Sequence, residues 1–181
     1  MRQRCAWANT QEIFIPYHDE EWGGPVHDDR LLFEMINLEG AQAGLSWLVI
    51  LRKRESYKKA FDNFNAKKII HYDAKKRARL LKDPGIVRHK LKINAVIENA
   101  KSFLAVQKEF GSFDKYIWSF VNGKPLIAPK KQEQAPECIA LSKDLKKRGF
   151  RFLGPTTCYA FMQAVGMVND HAKNCFKAPR K

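Results

Sequence analysis

The chain has 181 residues, enough for one domain that buries its own core without staples. Lys and Arg number 33 against 19 Asp and Glu, a formal charge of +14, which favours a polyanionic partner and says nothing about fold. No apolar run approaches the roughly 20 residues of a spanning helix, and MRQRCAW meets polar NTQE at once, so neither a membrane partner nor a secretory leader is expected.

The dominant hydrophobic period is helical. Leu31, Leu32, Met35, Ile36 and Leu38 follow 3.6-residue spacing behind a cap at Asp28 or Asp29. Gly40 and Gly44 are expected to interrupt that helix. Ser46 then caps a second, with Trp47, Ile50, Leu51, Tyr57 and Phe61 on one face. A short helix is expected near 66–71 and a basic one from about 74 to 82, capped by Asp73. After Asp83-Pro84-Gly85-Ile86-Val87 a long helix carries Ile93, Val96, Ile97, Ala100, Phe103 and Leu104. Ser112 opens another, with Phe113, Tyr116, Ile117 and Phe120. NGKPLIAPKKQEQAP, at 122–136, reads as an exposed loop. Helices at about 138–148, stopped by Gly149, and from Pro155 complete the chain. No segment alternates with period 2, so the class is all-α.

Three groups of residues carry chemistry. Cys5 and His18 lie near the start, His171 and Cys175 near the end. The last two are spaced i,i+4, as on one face of a helical turn. Two Cys and two His complete a closed tetrahedral zinc site. The plainer reading is four ordinary residues, with Cys5 a loose terminal thiol. All four cysteines (Cys138 and Cys158 are the others) read as thiols or ligands rather than disulfides in a reducing compartment.

The second group is Asp83-Pro84-Gly85-Ile86, which looks like the turn of a helix-hairpin-helix. Backbone N–H groups at the next helix start can hold a phosphate, between a basic run at 75–82 and Arg88, His89, Lys90 and Lys92. Such hairpins usually carry a second glycine where Val87 stands; a plain interhelical turn is the alternative. The third group is Trp7, Tyr17, Trp22 and Trp47, with Glu39 in the otherwise apolar stretch LEGAQAGLSWLVIL. Core aromatics and a solvent-facing helix-end acid are the ordinary reading. A stacking wall with an acid for a flat cation is the functional one.

Several stretches together resemble one family: CAW at 5–7, YHDEEWG at 17–23, LFEMINLEGAQAGLSW at 32–47, GIVRHKLKI at 85–93, WSFVNGKP at 118–125, and LSKDLKKRGFRFLGPTTCYAFMQAVGMVNDH at 141–171. In this order they are similar to DNA-3-methyladenine glycosylase I, from about residue 4 to residue 175. The resemblance implies a single helix-hairpin-helix glycosylase domain over 1–181, with the hairpin at about 74–104. It implies a structural zinc clip of Cys5, His18, His171 and Cys175, and no organic cofactor. It implies a base pocket in which Glu39 meets the polar edge of 3-methyladenine beside Tyr17 and Trp47, with Trp7 and Trp22 in the lining. Many hairpin glycosylases use a catalytic Asp after the hairpin; here that region offers only Glu109 and Asp114, and the family lacks that Asp too.

The chemistry follows. Methylation at N3 makes the ring cationic and a good leaving group, so an ionised Glu39 would attract it and water would release it, leaving an abasic site. The partner is then double-stranded alkylated DNA, whose target base must be flipped out. Leu45 is a candidate wedge for the gap, or else a core residue. Gly85, Arg88, Lys90 and the Lys143–Arg151 stretch would grip phosphates. A monomer is expected, cytoplasmic and beside the nucleoid if bacterial, with a nuclear address left open. Two rival readings stand: a zinc-stabilised DNA-binding module with no activity, and a glycosylase for another damaged base.

Overall fold

The computed structural model describes residues 2–127, 129 and 132–179. Positions 1, 180 and 181 of the expected domain, and 128, 130 and 131 of the expected 122–136 loop, lie outside them. A short 3-10 turn at Ala6–Asn9 is followed by a helical turn, α1 (Phe14–Pro16), which runs into a π-helical turn at Tyr17–Glu21. The helices anticipated from the periodicity follow in order: α2 (Asp29–Gln42), α3 (Trp47–Ala60), α4 (Ala66–Ile69), α5 (Ala74–Lys82), α6 (Lys90–Phe110), α7 (Phe113–Ser119), α8 (Pro136–Lys147) and α9 (Pro155–Ala164).

Local chemistry explains most boundaries. The Asp28 carboxylate accepts from the Leu31 N–H at 2.8 Å and caps α2. The neighbouring Asp29 carboxylate accepts instead from the Phe113 and Asp114 N–H groups, each at 2.8 Å, and so fastens the start of α7 to α2. Asp73 and Ser112 cap α5 and α7 as expected. Gly111, at φ +84°, ends α6.

Four expectations need correction. Gly40 does not interrupt α2; the helix passes through it, and its bare Cα lies close to Phe152, whose Cβ would be 3.5 Å from an added methyl. Ser46 stands at the N-cap of α3, but its side chain makes no capping bond. α8 begins at Pro136, the favoured first-turn position, rather than at 138. Finally, β1 (Leu126–Ile127) pairs in parallel with β2 (Val168–Asn169), which takes part of the 122–136 stretch out of the loop. Two-residue strands are too short to show alternation.

α2 lies at the centre, packed against α3, α6, α7 and α9. Every residue from Leu32 to Ala41 is buried, so this helix is enclosed all round, and its polar residues other than Glu39 are bonded internally. Asn37 accepts from Asn99 of α6 at 2.9 Å and donates to the Phe33 carbonyl at 2.7 Å. Asn99 in turn accepts the Arg151 N–H at 2.7 Å. Glu34 is also buried, held by Arg54 at 2.6 Å and Arg30 at 3.1 Å. No helix among the described residues is long and apolar enough to cross a membrane.

Candidate active site and metal centre

α2 presents Glu39 near its end, α3 starts with Trp47, and the π-helical turn starts with Tyr17. These three segments meet at a cavity of about 290 Å³ that Trp7 and Trp22 also line. All five residues singled out in the sequence therefore come together. The Tyr17 and Trp47 rings are 5.5 Å apart at 44°, and Trp7 meets Trp22 edge-on at 5.1 Å. Phe14, Gln42, Ala160 and Gln163 complete the lining and were missed. The last two come from α9, and no signal in a single sequence brings them beside residue 39. An open groove of about 510 Å³ lies elsewhere, against Phe110 and Tyr116. Its aromatic faces are already covered by the Arg148 guanidinium at 4.9 and 5.1 Å.

Two buried polar atoms set the first cavity apart: Oε2 of Glu39 and Nε1 of Trp47 have no hydrogen-bond partner among the described residues. Leaving such groups unpaired costs about 1–3 kcal/mol each. An acceptor and a donor retained at that cost in an aromatic cavity suit a flat ligand with polar edges. Glu39 is only 4% exposed, and burial pushes its carboxyl up to about 8. The acid by itself thus mostly holds its proton at neutral pH, and a positive charge brought beside it would favour ionisation. This modifies the expectation of an ionised Glu39: in the protein without a cation the group is mostly neutral at pH 7.

Cys5, His18, His171 and Cys175 are all buried, with their ligand atoms within 4.8 Å of one another. His171 Nδ1 lies 3.6 Å from each sulfur, and His18 Nε2 lies 3.4 Å from Cys175 Sγ. A tetrahedron with zinc–sulfur and zinc–nitrogen bonds of about 2.3 and 2.0 Å has edges of about 3.3–3.8 Å, which the three sulfur–nitrogen separations of 3.4–3.6 Å fit. Asp19 accepts from His18 Nδ1 at 2.8 Å and is itself held by Arg4 at 2.7 Å. That leaves His18 Nε2 as the ligating nitrogen, oriented by a carboxylate. Burial pushes His171 down to about 4, keeping its lone pair free at neutral pH. One detail differs from expectation: 171–175 is not a helical turn but an irregular one, closed by the Cys175 N–H on the Ala172 carbonyl at 2.7 Å.

α5, the 83–87 segment and α6 occupy the stretch of about 74–104 where a hairpin was expected. Gly85 is needed for space: an added Cβ would fall 2.8 Å from Ser56 on α3. Its N–H is taken by the Asp83 carboxylate at 2.7 Å, and that of Val87 by the Tyr57 hydroxyl at 3.1 Å. The amides left without an acceptor among the described residues are those of Arg88, Lys90 and Leu91, whose side chains are exposed. Leu45 is 41% exposed after Gly44 at φ +76°, so it is not a core residue. Lys92 Nζ donates to the Ala41 and Ala43 carbonyls at 2.7 and 2.6 Å, tying the Leu45 loop to α6. In the 143–151 stretch, Lys143, Lys146 and Lys147 are exposed, but Arg148 is engaged by Asp144 and Glu109, each at 2.6 Å. Asp114 pairs with His27 at 2.7 Å. Neither Glu109 nor Asp114 lines the Glu39 cavity.

A basic helical fold enclosing an aromatic cavity with a buried acid is a class that comparison with known proteins resolves. The methyladenine glycosylase family matches residues 7–178. A DNA-3-methyladenine glycosylase of Haemophilus influenzae is 49% identical, over 97% of this chain and 97% of that protein. A crystal structure of a 3-methyladenine DNA glycosylase I superposes with a TM-score of 0.93 at 49% identity, covering 98% of this chain and 100% of the other. Another such glycosylase, a variant solved in complex with 3-methyladenine, gives 0.91 at 38% identity, covering 98% of each chain. The chain belongs to the methyladenine glycosylase family.

Proposed function

We propose that the protein is a monofunctional base-excision glycosylase that flips 3-methyladenine out of alkylated double-stranded DNA and hydrolyses its N-glycosidic bond. The products are free 3-methyladenine and an abasic site. The observation that carries this reading is the buried, unpaired Glu39 carboxyl facing a cavity of about 290 Å³ walled by Tyr17, Trp47, Trp7 and Trp22.

Alkylation at N3 gives the ring a positive charge while it is still joined to the sugar. Two charges about 4 Å apart gain about 4 kcal/mol in a partly solvated protein site. Ionising Glu39 at pH 7, against its value of about 8, costs only about 1.4 kcal/mol. The cation therefore drives ionisation, and Glu39 becomes both the acceptor for the exocyclic amine and the counter-charge. Unmodified adenine carries no charge with which to offset that cost, so selection is electrostatic. Tyr17 and Trp47 add stacking and cation–π attraction of about 1–3 kcal/mol. The base leaves as a neutral molecule, taking the bonding electrons, and water adds to the sugar and gives up one proton to solvent. With so good a leaving group, no acid after the hairpin is required.

Leu45 fills the gap left in the stack, and the amides and side chains around Arg88 and Lys90, behind the Gly85 turn, hold phosphates. Cys5, His18, His171 and Cys175 would hold a zinc ion, whose contribution would be structural, joining the two ends of the chain near Trp7 and Trp22. The protein works as a monomer, in the cytoplasm next to the nucleoid if its source is bacterial. The test is chromatography of bases released from methylated duplex DNA by wild type and Glu39→Gln. Release of 3-methyladenine with little 7-methylguanine, lost in the variant, is expected. Absence of release by folded wild type would leave a DNA-binding module instead.

A further inference from the structure

We infer that Arg54 is a positioning residue for the base pocket, clamping together the three segments that carry Glu39, Trp47 and Tyr17. The inference rests on the reading of that pocket as the 3-methyladenine site. Arg54 stands two turns after Trp47 on α3, and its side chain is 12% exposed. Its Nε donates to Glu34 Oε1 at 2.6 Å, and its Nη1 donates to Glu21 Oε2 at 2.6 Å. Glu34 lies on α2 upstream of Glu39, wholly buried, with its second oxygen taken by Arg30 at 3.1 Å. Glu21 closes the π-helical turn that Tyr17 opens. One guanidinium on the Trp47 helix therefore reaches both of the other walls.

Tyr17 is the wall with most need of such a hold. Besides the base pocket it lines a second cavity of about 220 Å³, shared with Glu21, Met35, Arg54 and Ala164. It thus borders two cavities while being buried itself, with the Trp47 ring at 5.5 Å. Its backbone is π-helical, a rare geometry that occurs as single turns and is frequent at functional sites. The clamp is also a poor choice for stability alone. A buried ion pair seldom outperforms apolar side chains of the same volume, whereas the planar fork of arginine fixes two carboxylates in defined directions. Geometry is what this arrangement supplies.

Glu21→Ala removes one arm of the clamp at a side chain that is 47% exposed, leaving Arg54 paired with Glu34. Binding of free 3-methyladenine, followed by tryptophan fluorescence, should weaken about tenfold, and single-turnover excision should slow by about the same factor. The thermal midpoint should stay within about 2 °C of wild type. Arg54→Lys, which keeps the charge and loses the fork, should share this phenotype. In a Tyr17→Ala background, where residual excision is measured, Glu21→Ala should have no further effect. Wild-type affinity in Glu21→Ala, or effects of the two substitutions that multiply, would overturn the inference. A wild-type protein that neither binds nor excises 3-methyladenine would instead remove the reading of the pocket on which it rests.

Discussion

Replacing Glu39 by Gln should make the folded protein more stable at neutral pH while it removes activity. Burial raises the Glu39 carboxyl from 4.5 to about 8. The folded state thus keeps its proton at pH values where the unfolded chain has lost it. Stability contributed by this group is complete below about pH 4.5, declines as pH rises above that value, and is fully lost above about pH 8. Each pH unit in the window is worth about 1.4 kcal/mol. The whole loss is then about 5 kcal/mol, with about 3 kcal/mol already gone at pH 7. Gln has nearly the same shape and no titration, so the variant lacks this slope. Urea unfolding of both proteins from about pH 5 to about pH 9, at fixed metal concentration, measures the difference directly. The wild-type curve should fall away from that of the variant as pH rises. Parallel curves would refute the argument, because they would mean that water or a partner solvates the carboxylate. The same group predicts that kcat/KM for excision rises toward about pH 8 and then levels, since the free protein must give up the Glu39 proton.

Two other outcomes follow from the site. Chelation should remove one zinc per chain and lower the thermal midpoint, as should Cys5→Ser, because four buried ligand groups are left without their shared ion; an unchanged midpoint would show the ends to be held by other contacts. Leu45→Ala should slow excision from duplex DNA about tenfold or more while leaving the affinity for free 3-methyladenine unchanged, since Leu45 is exposed outside the pocket; equal losses in both assays would place Leu45 in the pocket itself.

Much of this site was legible in the sequence because its signals are local or chemically unusual. Asp73 and Ser112 cap the helices they precede, and the period in 93–104 marks one face of α6. Glu39 stood out as a carboxylate in an apolar run, and Cys and His clustered at both ends. Other features were hidden for definite reasons. Glu34 and Arg54 look like ordinary surface charges of two amphipathic helices, and only the enclosure of α2 on all sides turns them into a buried pair. Gly40 reads as a breaker, but the enclosure of α2 on all sides holds the helix through it. Gln163 and Ala160 reach the pocket from the far end of the chain.

Composition, helical periodicity, capping residues and the order of the motifs determined the class, the boundaries of most helices and the residues to watch. Those depend on interactions within a few turns of chain. Tertiary structure alone decided that Glu39 is dry enough to hold its proton to about pH 8. It alone decided that Cys5 and Cys175 share one buried cluster, and that Leu45 is exposed. Desolvation and ligand geometry depend on what the folded chain brings near a group, and in this protein those neighbours come from opposite ends of the sequence.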